Sequence, residues 1–136
     1  MAHLTADLAV TLPDDRPGML AKAIGCVGAA GINVEGYAQI NDAIHLLSTD
    51  IRGMRKCLLD AGFRVLQEQP VVLVPVSDNP GAAARVFQRI GEAHINVRYT
   101  YLATGNRLVI SSDNPQALIS VMLGSPDDRE TAAATA

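Results

Sequence analysis

The sequence predicts an α+β chain of two small domains in tandem, each ordered strand-helix-strand-strand-helix-strand. Two observations carry that prediction. The first is an internal repeat. Slid against itself by 63 residues without a gap, Asp15-Arg16-Pro17-Gly18 meets Asp78-Asn79-Pro80-Gly81, and Ile32-Asn33-Val34 meets Ile95-Asn96-Val97. Between these, Gly28 meets Gly91 and Ala30 meets Ala93; further on, Ser48-Thr49-Asp50 meets Ser111-Ser112-Asp113. The second observation is that β-prone runs and apolar residues at helical spacing alternate in the same order in both halves. A length of 136 residues taken alone fits one domain. The repeat overrules it: residues 1–69 form one domain, 70–123 a second, and 124–136 a flexible tail.

Each element has a local reason. Residues 7–12 and 71–76 are short β-prone runs that end in turn residues. Pro75 lacks an N–H, so it interrupts the second run or stands on an unpaired side. Asp15 and Asp78 precede Pro17-Gly18 and Pro80-Gly81, and proline suits a first helical turn. An aspartate there can cap the helix, which is worth roughly 1 kcal/mol. Leu20, Ile24, Val27 and Ala30 then recur at helical spacing, as do Ala83, Phe87, Ile90 and Ala93. Gly31 stops the first helix as a left-handed cap. His94 takes the same place in the second, a residue type that tolerates positive φ better than most.

Strands over 32–40 and 95–103, each entered through Ile-Asn-Val, follow the helices. Asn41-Asp42 and Thr104-Gly105-Asn106 turn the chain into strands at 43–49 and 107–112. Short helices over 51–61 and 115–123 turn Met54, Leu58 and Ala61, or Leu118, Val121 and Met122, inward. Residues 63–68 close the first domain as a last strand. The order is the split βαβ of a ferredoxin-like sandwich. The second domain has no such strand after Leu123, where the chain reads Gly-Ser-Pro-Asp-Asp-Arg-Glu-Thr and looks like a solvated tail. Its sheet is expected to end in an open edge, which proteins normally cover, so a homodimer is expected.

Asp-Arg-Pro-Gly-Met-Leu, a helix, then Gly-Ile-Asn-Val opening a strand resembles the ACT domain, a small regulatory module of enzymes of amino-acid metabolism. The resemblance covers residues 6–123 and occurs twice, as in stand-alone tandem ACT proteins. It implies a free amino acid bound at the seam between two ACT units, by the loop before the first helix and the start of the second strand. Those positions are Asp15, Arg16, Pro17, Gly18 and Asn33 in the first unit, and Asp78, Asn79, Pro80, Gly81 and Asn96 in the second. The placement is physically apt, since a helix N-terminus offers N–H groups and partial positive charge to a carboxylate. Many amino-acid-binding members carry Asn where this chain has Asp15 and Asp78. An aspartate cannot donate to a carboxylate, so here it would hold the ligand ammonium. Arg16 adds a cation that Asn79 does not, which favours the first loop.

Composition narrows the remaining functions. A formal net charge of −3 argues against nucleic acid, whose phosphates call for a strongly basic face. No apolar run reaches the roughly 20 residues of a membrane span. The first residues have no basic segment followed by an apolar one, so no secretory signal is expected and a cytoplasmic protein is. Cys26 and Cys57 read as small apolar residues on helices. His3, His45 and His94 are scattered, so no metal site is expected. The glycines at 25, 28 and 31 lack the spacing of a nucleotide loop, and no carboxylate pair or Ser/His/Asp order points to catalysis. Neither a cofactor nor an enzymatic activity is expected.

Three functions fit this pattern: an effector-binding regulator that signals amino-acid state to a partner protein, a structural or oligomerisation module without a ligand, and an RNA binder. The last would use Tyr37, Tyr99 and Tyr101 as stacking residues on strands, and the acidic balance ranks it third.

Overall fold

The computed structural model describes residues 1–12 and 16–124. The chain divides into two compact units, one of Ala6–Gln69 and one of Met1–Thr5 with the residues from Pro70 onward. Its elements are β1 (His3–Thr11), α1 (Met19–Ala29), β2 (Gly36–Ile40), β3 (Ala43–Leu47), α2 (Ile51–Asp60), β4 (Arg64–Pro75), α3 (Ala82–Glu92), β5 (Val97–Ala103), β6 (Arg107–Ser112) and α4 (Pro115–Leu123).

In the Ala6–Gln69 unit, β3 lies between β1 and β2 and is antiparallel to both, with Leu8 opposite Leu46 and Tyr37 opposite Leu46 on its other side. Alternation along the strands sends Leu8, Val10, Ile44 and Leu46 to one face. There they meet Met19, Ala23 and Val27 of α1, Met54 and Leu58 of α2, and Phe63. Each fully buried Leu or Ile in that set stabilises the fold by roughly 1.5–3 kcal/mol. Asn41, at φ 56, closes the two-residue turn between the paired Ile40 and Ala43.

In the other unit, β6 lies between β4 and β5, again antiparallel to both. Val72, Val74, Leu108 and Ile110 face Val86 and Ile90 of α3 and Leu118 and Met122 of α4. The expected open edge of this unit is filled by the start of the chain. Met1–Thr5 belong to the unit, β1 is the neighbour of β4 in strand order, and Ala2 is buried in the unit's core. The closing strand was sought after Leu123, where the repeat would place it. It comes instead from residues at the opposite end of the sequence, too few to announce a strand. The argument for a homodimer by edge pairing loses its premise here.

Other boundaries also move. The expected strands 63–68 and 71–76 are one continuous strand, β4, with Pro75 as its last residue. The strands expected from residues 32 and 95 begin at Gly36 and Val97. Val27 and Ile90 of the expected stripes are buried, and Ile24 and Phe87 pack at the rims of the cores. The other buried positions of α1 and α3 lie one residue earlier, at Met19 and Ala23 and at Ala82 and Val86, while Leu20 is 38% exposed. The later strand starts trace to the helix ends. Ile32 N–H donates to Val27 O and Ile95 N–H to Ile90 O, so the isoleucines of Ile-Asn-Val close the preceding helices. Gly31 and His94 take φ of 77 and 57 at those closures, as their positions require. The tail expected over 124–136 lies, beyond Gly124, outside the described residues.

Candidate functional site

The repeated Pro-Gly segment leads into α1 and α3 in the same way. Gly18 and Gly81 are the N-caps, with φ of 92 and 85. The left-handed backbone is what demands glycine there: a Cβ on Gly18 would meet nothing within 4 Å. Met19 N–H donates to Arg16 O at 3.3 Å and Ala82 N–H to Asn79 O at 3.1 Å. Each forms a tight turn that holds Pro17 or Pro80 outside the helix, not in its first turn. Asp78 therefore stands three residues ahead of the N-cap and does not cap α3. Asp15 lies outside the described residues.

Among the described residues, no side chain caps α1 or α3. The other two helices do: Asp50 accepts from Gly53 N–H at 2.9 Å and Asn114 from Ala117 N–H at 3.2 Å. The α1 terminus thus presents the positive end of its dipole beside Arg16, with the Met19 amide already turned onto Arg16 O, and Arg16, Pro17 and Gly18 are all exposed. The α3 terminus has Asn79 in place of that cation, with Asp78, Pro80 and Gly81 likewise exposed.

Asn33 and Asn96 are exposed too, each set between two apolar residues that pack inward: Ile32 and Val34 in one core, Ile95 and Val97 in the other. Asn33 follows the C-terminal end of α1 whereas Gly18 precedes its N-terminal end. Eleven helical residues rise about 16 Å at 1.5 Å each, so within one unit a free amino acid does not touch both. The same separation holds for Gly81 and Asn96 about α3.

Two features are not in the expected pattern. His45 on β3 and Asp7 on β1 are a buried pair, placed on the sheet face opposite Leu8 and Leu46. Cys26 on α1 and Cys57 on α2, 31 residues apart in sequence, are neighbours in the structure. Only the alternation of Asp7 with Leu8 and of His45 with Ile44 could have signalled the first pair. Nothing local signals the second. Tyr99 and Tyr101 stack on each other with centroids 6.3 Å apart. Among the described residues no three His, Cys, Asp or Glu side chains gather as a metal ion would need, and no helix is long and apolar enough to cross a membrane.

This arrangement of elements is found in solved structures. Protein BT0572 from Bacteroides thetaiotaomicron superimposes with a TM-score of 0.76 at 24% identity, over 90% of this chain and 88% of that one. Aspartokinase alpha and beta subunits give a TM-score of 0.66 at 17% identity, over 90% of each chain. The regulatory subunit of aspartate kinase from Thermus thermophilus, in its ligand-free form, gives 0.61 at 16% identity, over 88% of this chain and 92% of that one. The fold is that of aspartate kinase regulatory subunits. No protein-family model and no curated protein matches the sequence.

Proposed function

We propose that this chain is a non-catalytic regulatory protein of ACT type that binds a free amino acid at the N-terminus of α1 and signals to a partner enzyme or regulator. The observation that carries the reading is the contrast among the four helices: α2 and α4 are capped by their own side chains, and α1 and α3, among the described residues, are not. Arg16 selects the first of the two loops, because an amino acid brings a carboxylate. The carboxylate is assigned to the α1 amides beyond Met19, whose own N–H is held by Arg16 O, with Arg16 beside it and Asp15 toward the ammonium. The fold shared with regulatory subunits supports the same reading. An effector acts only through different affinities for two states of its protein, so binding must favour the state that the partner recognises.

Calorimetry against the common amino acids tests this. One of them binds, and Arg16→Ala weakens it by about 1.5–3 kcal/mol, the worth of a charged hydrogen bond, while Asn79→Ala does not. Loss in both Arg16→Ala and Asn33→Ala would put the two residues on one ligand, which a single unit does not do. Binding unchanged in Arg16→Ala would sink the assignment to this loop.

A second reading, a structural module without a ligand, is favoured by one observation. Gly18, Gly31, Ile32 and Val34 all have structural duties, in caps and core, that explain much of the motif without an effector. A thermal-shift screen in which no amino acid raises the unfolding midpoint would decide for it.

A further inference from the structure

Two thiols in the Ala6–Gln69 unit have no part in the amino-acid site. Cys26 sits in the last turns of α1 and Cys57 in the last turns of α2, both half-buried at the rim of the core. Each donates to a carbonyl of its own helix three residues back, Cys26 Sγ to Ala23 O at 3.1 Å and Cys57 Sγ to Met54 O at 3.2 Å. The two side chains are neighbours across the contact between α1 and α2. Their approach is built into the packing. Gly53 lies one turn before Cys57 on the same face of α2, and a Cβ there would come within 3.0 Å of Ile32 Cδ1, just past the end of α1. The helices converge beside the two cysteines, and partial exposure leaves both open to a small reagent.

We propose that Cys26 and Cys57 are a reversible redox pair, closed to a disulfide between α1 and α2 by a low-molecular-weight disulfide such as oxidised glutathione. The thiolate of one cysteine attacks the reagent, giving a mixed disulfide and releasing one glutathione thiolate. The neighbouring thiol gives its proton to water and attacks the protein-side sulfur, expelling the second glutathione. Two protein thiols lose two electrons, and one glutathione disulfide becomes two thiols. Burial, and the neighbouring Cys57, push the Cys26 thiol above its ordinary range, so closure is slow at neutral pH and accelerates as pH rises. The pair is independent of the α1 N-terminal site, and its fate does not bear on that of the amino-acid reading.

The test is incubation of the full chain with oxidised glutathione, followed by intact-mass measurement and thiol titration without reductant. The expected product is a monomer lighter by two hydrogens with no titratable thiol, restored by reductant. Cys26→Ser and Cys57→Ser each stop at a single glutathione adduct. Closure of the mixed disulfide is expected at least tenfold faster in the folded chain than in denaturant, which reads the folded geometry without relying on a variant. A doubly glutathionylated monomer, a covalent dimer, or equal closure rates folded and unfolded would each overturn the proposal.

Discussion

His45 Nδ1 lies 3.4 Å from Asp7 Oδ2, with the aspartate side chain fully buried and the histidine 8% exposed. They reach each other across the β1–β3 pairing, where Ala9 opposes His45. The sheet face carrying them is the one turned away from Leu8, Val10, Ile44 and Leu46, and both side chains are buried there.

Removing one member of that pair leaves the other buried with a lost partner. Asp7→Ala is expected to destabilise the protein by about 3 kcal/mol, read as a lower urea midpoint at unchanged slope. Replacing both residues by apolar side chains of similar volume is expected to recover most of the loss. A surface-like effect in Asp7→Ala would show that the pair contributes little.

The helix closures give predictions of opposite sign at equivalent positions of the repeat. Gly31→Ala puts a Cβ on a left-handed residue and is expected to cost about 1 kcal/mol. His94→Gly removes one and is expected to stabilise by a similar or smaller amount. Thermal unfolding of the two variants should move in opposite directions.

The N-caps separate in the same manner. Asp50→Ala and Asn114→Ala each remove a side-chain acceptor from a helix start and are expected to cost about 1 kcal/mol. Gly18→Ala breaks no such bond and acts through φ alone, so its cost should be relieved by Gly18→Asn, a residue that tolerates the left-handed region better.

Ala2 tests the origin of the second unit's closing strand. It is 4% exposed among Val72, Val74, Leu108 and Ile110, so Ala2→Asp is expected to cost more than about 2 kcal/mol. Amide exchange should quicken at Leu108 and Ile110. Wild-type stability in Ala2→Asp would show that the first residues do not belong to that core.

Alkaline pH should weaken the protein through Cys26. Its thiol binds its proton more tightly folded than unfolded, so its contribution is complete below the unfolded pKa and is lost as pH rises through the folded one. Cys26→Ala is expected to flatten the fall in unfolding midpoint above about pH 9, measured by thermal melts across an alkaline series.

Much of this was legible in local sequence, and the rest was not for identifiable reasons. Gly31 and His94 announce their helix ends because left-handed backbone admits few residue types. Asn41 and Gly105-Asn106 announce the turns for the same reason. Pro17 and Pro80 fit a first helical turn as well as they fit the tight turn that precedes it, so sequence alone puts the helix starts too early. Only the bonds to Arg16 O and Asn79 O separate the two. Ile-Asn-Val was read as strand because β-branched residues suit strands, while the backbone spends Ile32 on closing α1. Of the candidate site, the loop of Arg16, Pro17 and Gly18 was legible. That Asn33 stands at the far end of α1 from it was not.

By itself the sequence determined what depends on neighbours along the chain: two copies of one pattern, the type of every element, the turns, and an aliphatic core. Tertiary structure decided what depends on residues far apart meeting. It joined Met1–Thr5 to the unit of Pro70 and beyond, with Ala2 in its core, set His45 against Asp7, and brought Cys26 near Cys57. Periodicity and turn chemistry are local constraints on φ, ψ and burial. Which buried surfaces cover one another is settled only when the whole chain competes for contact.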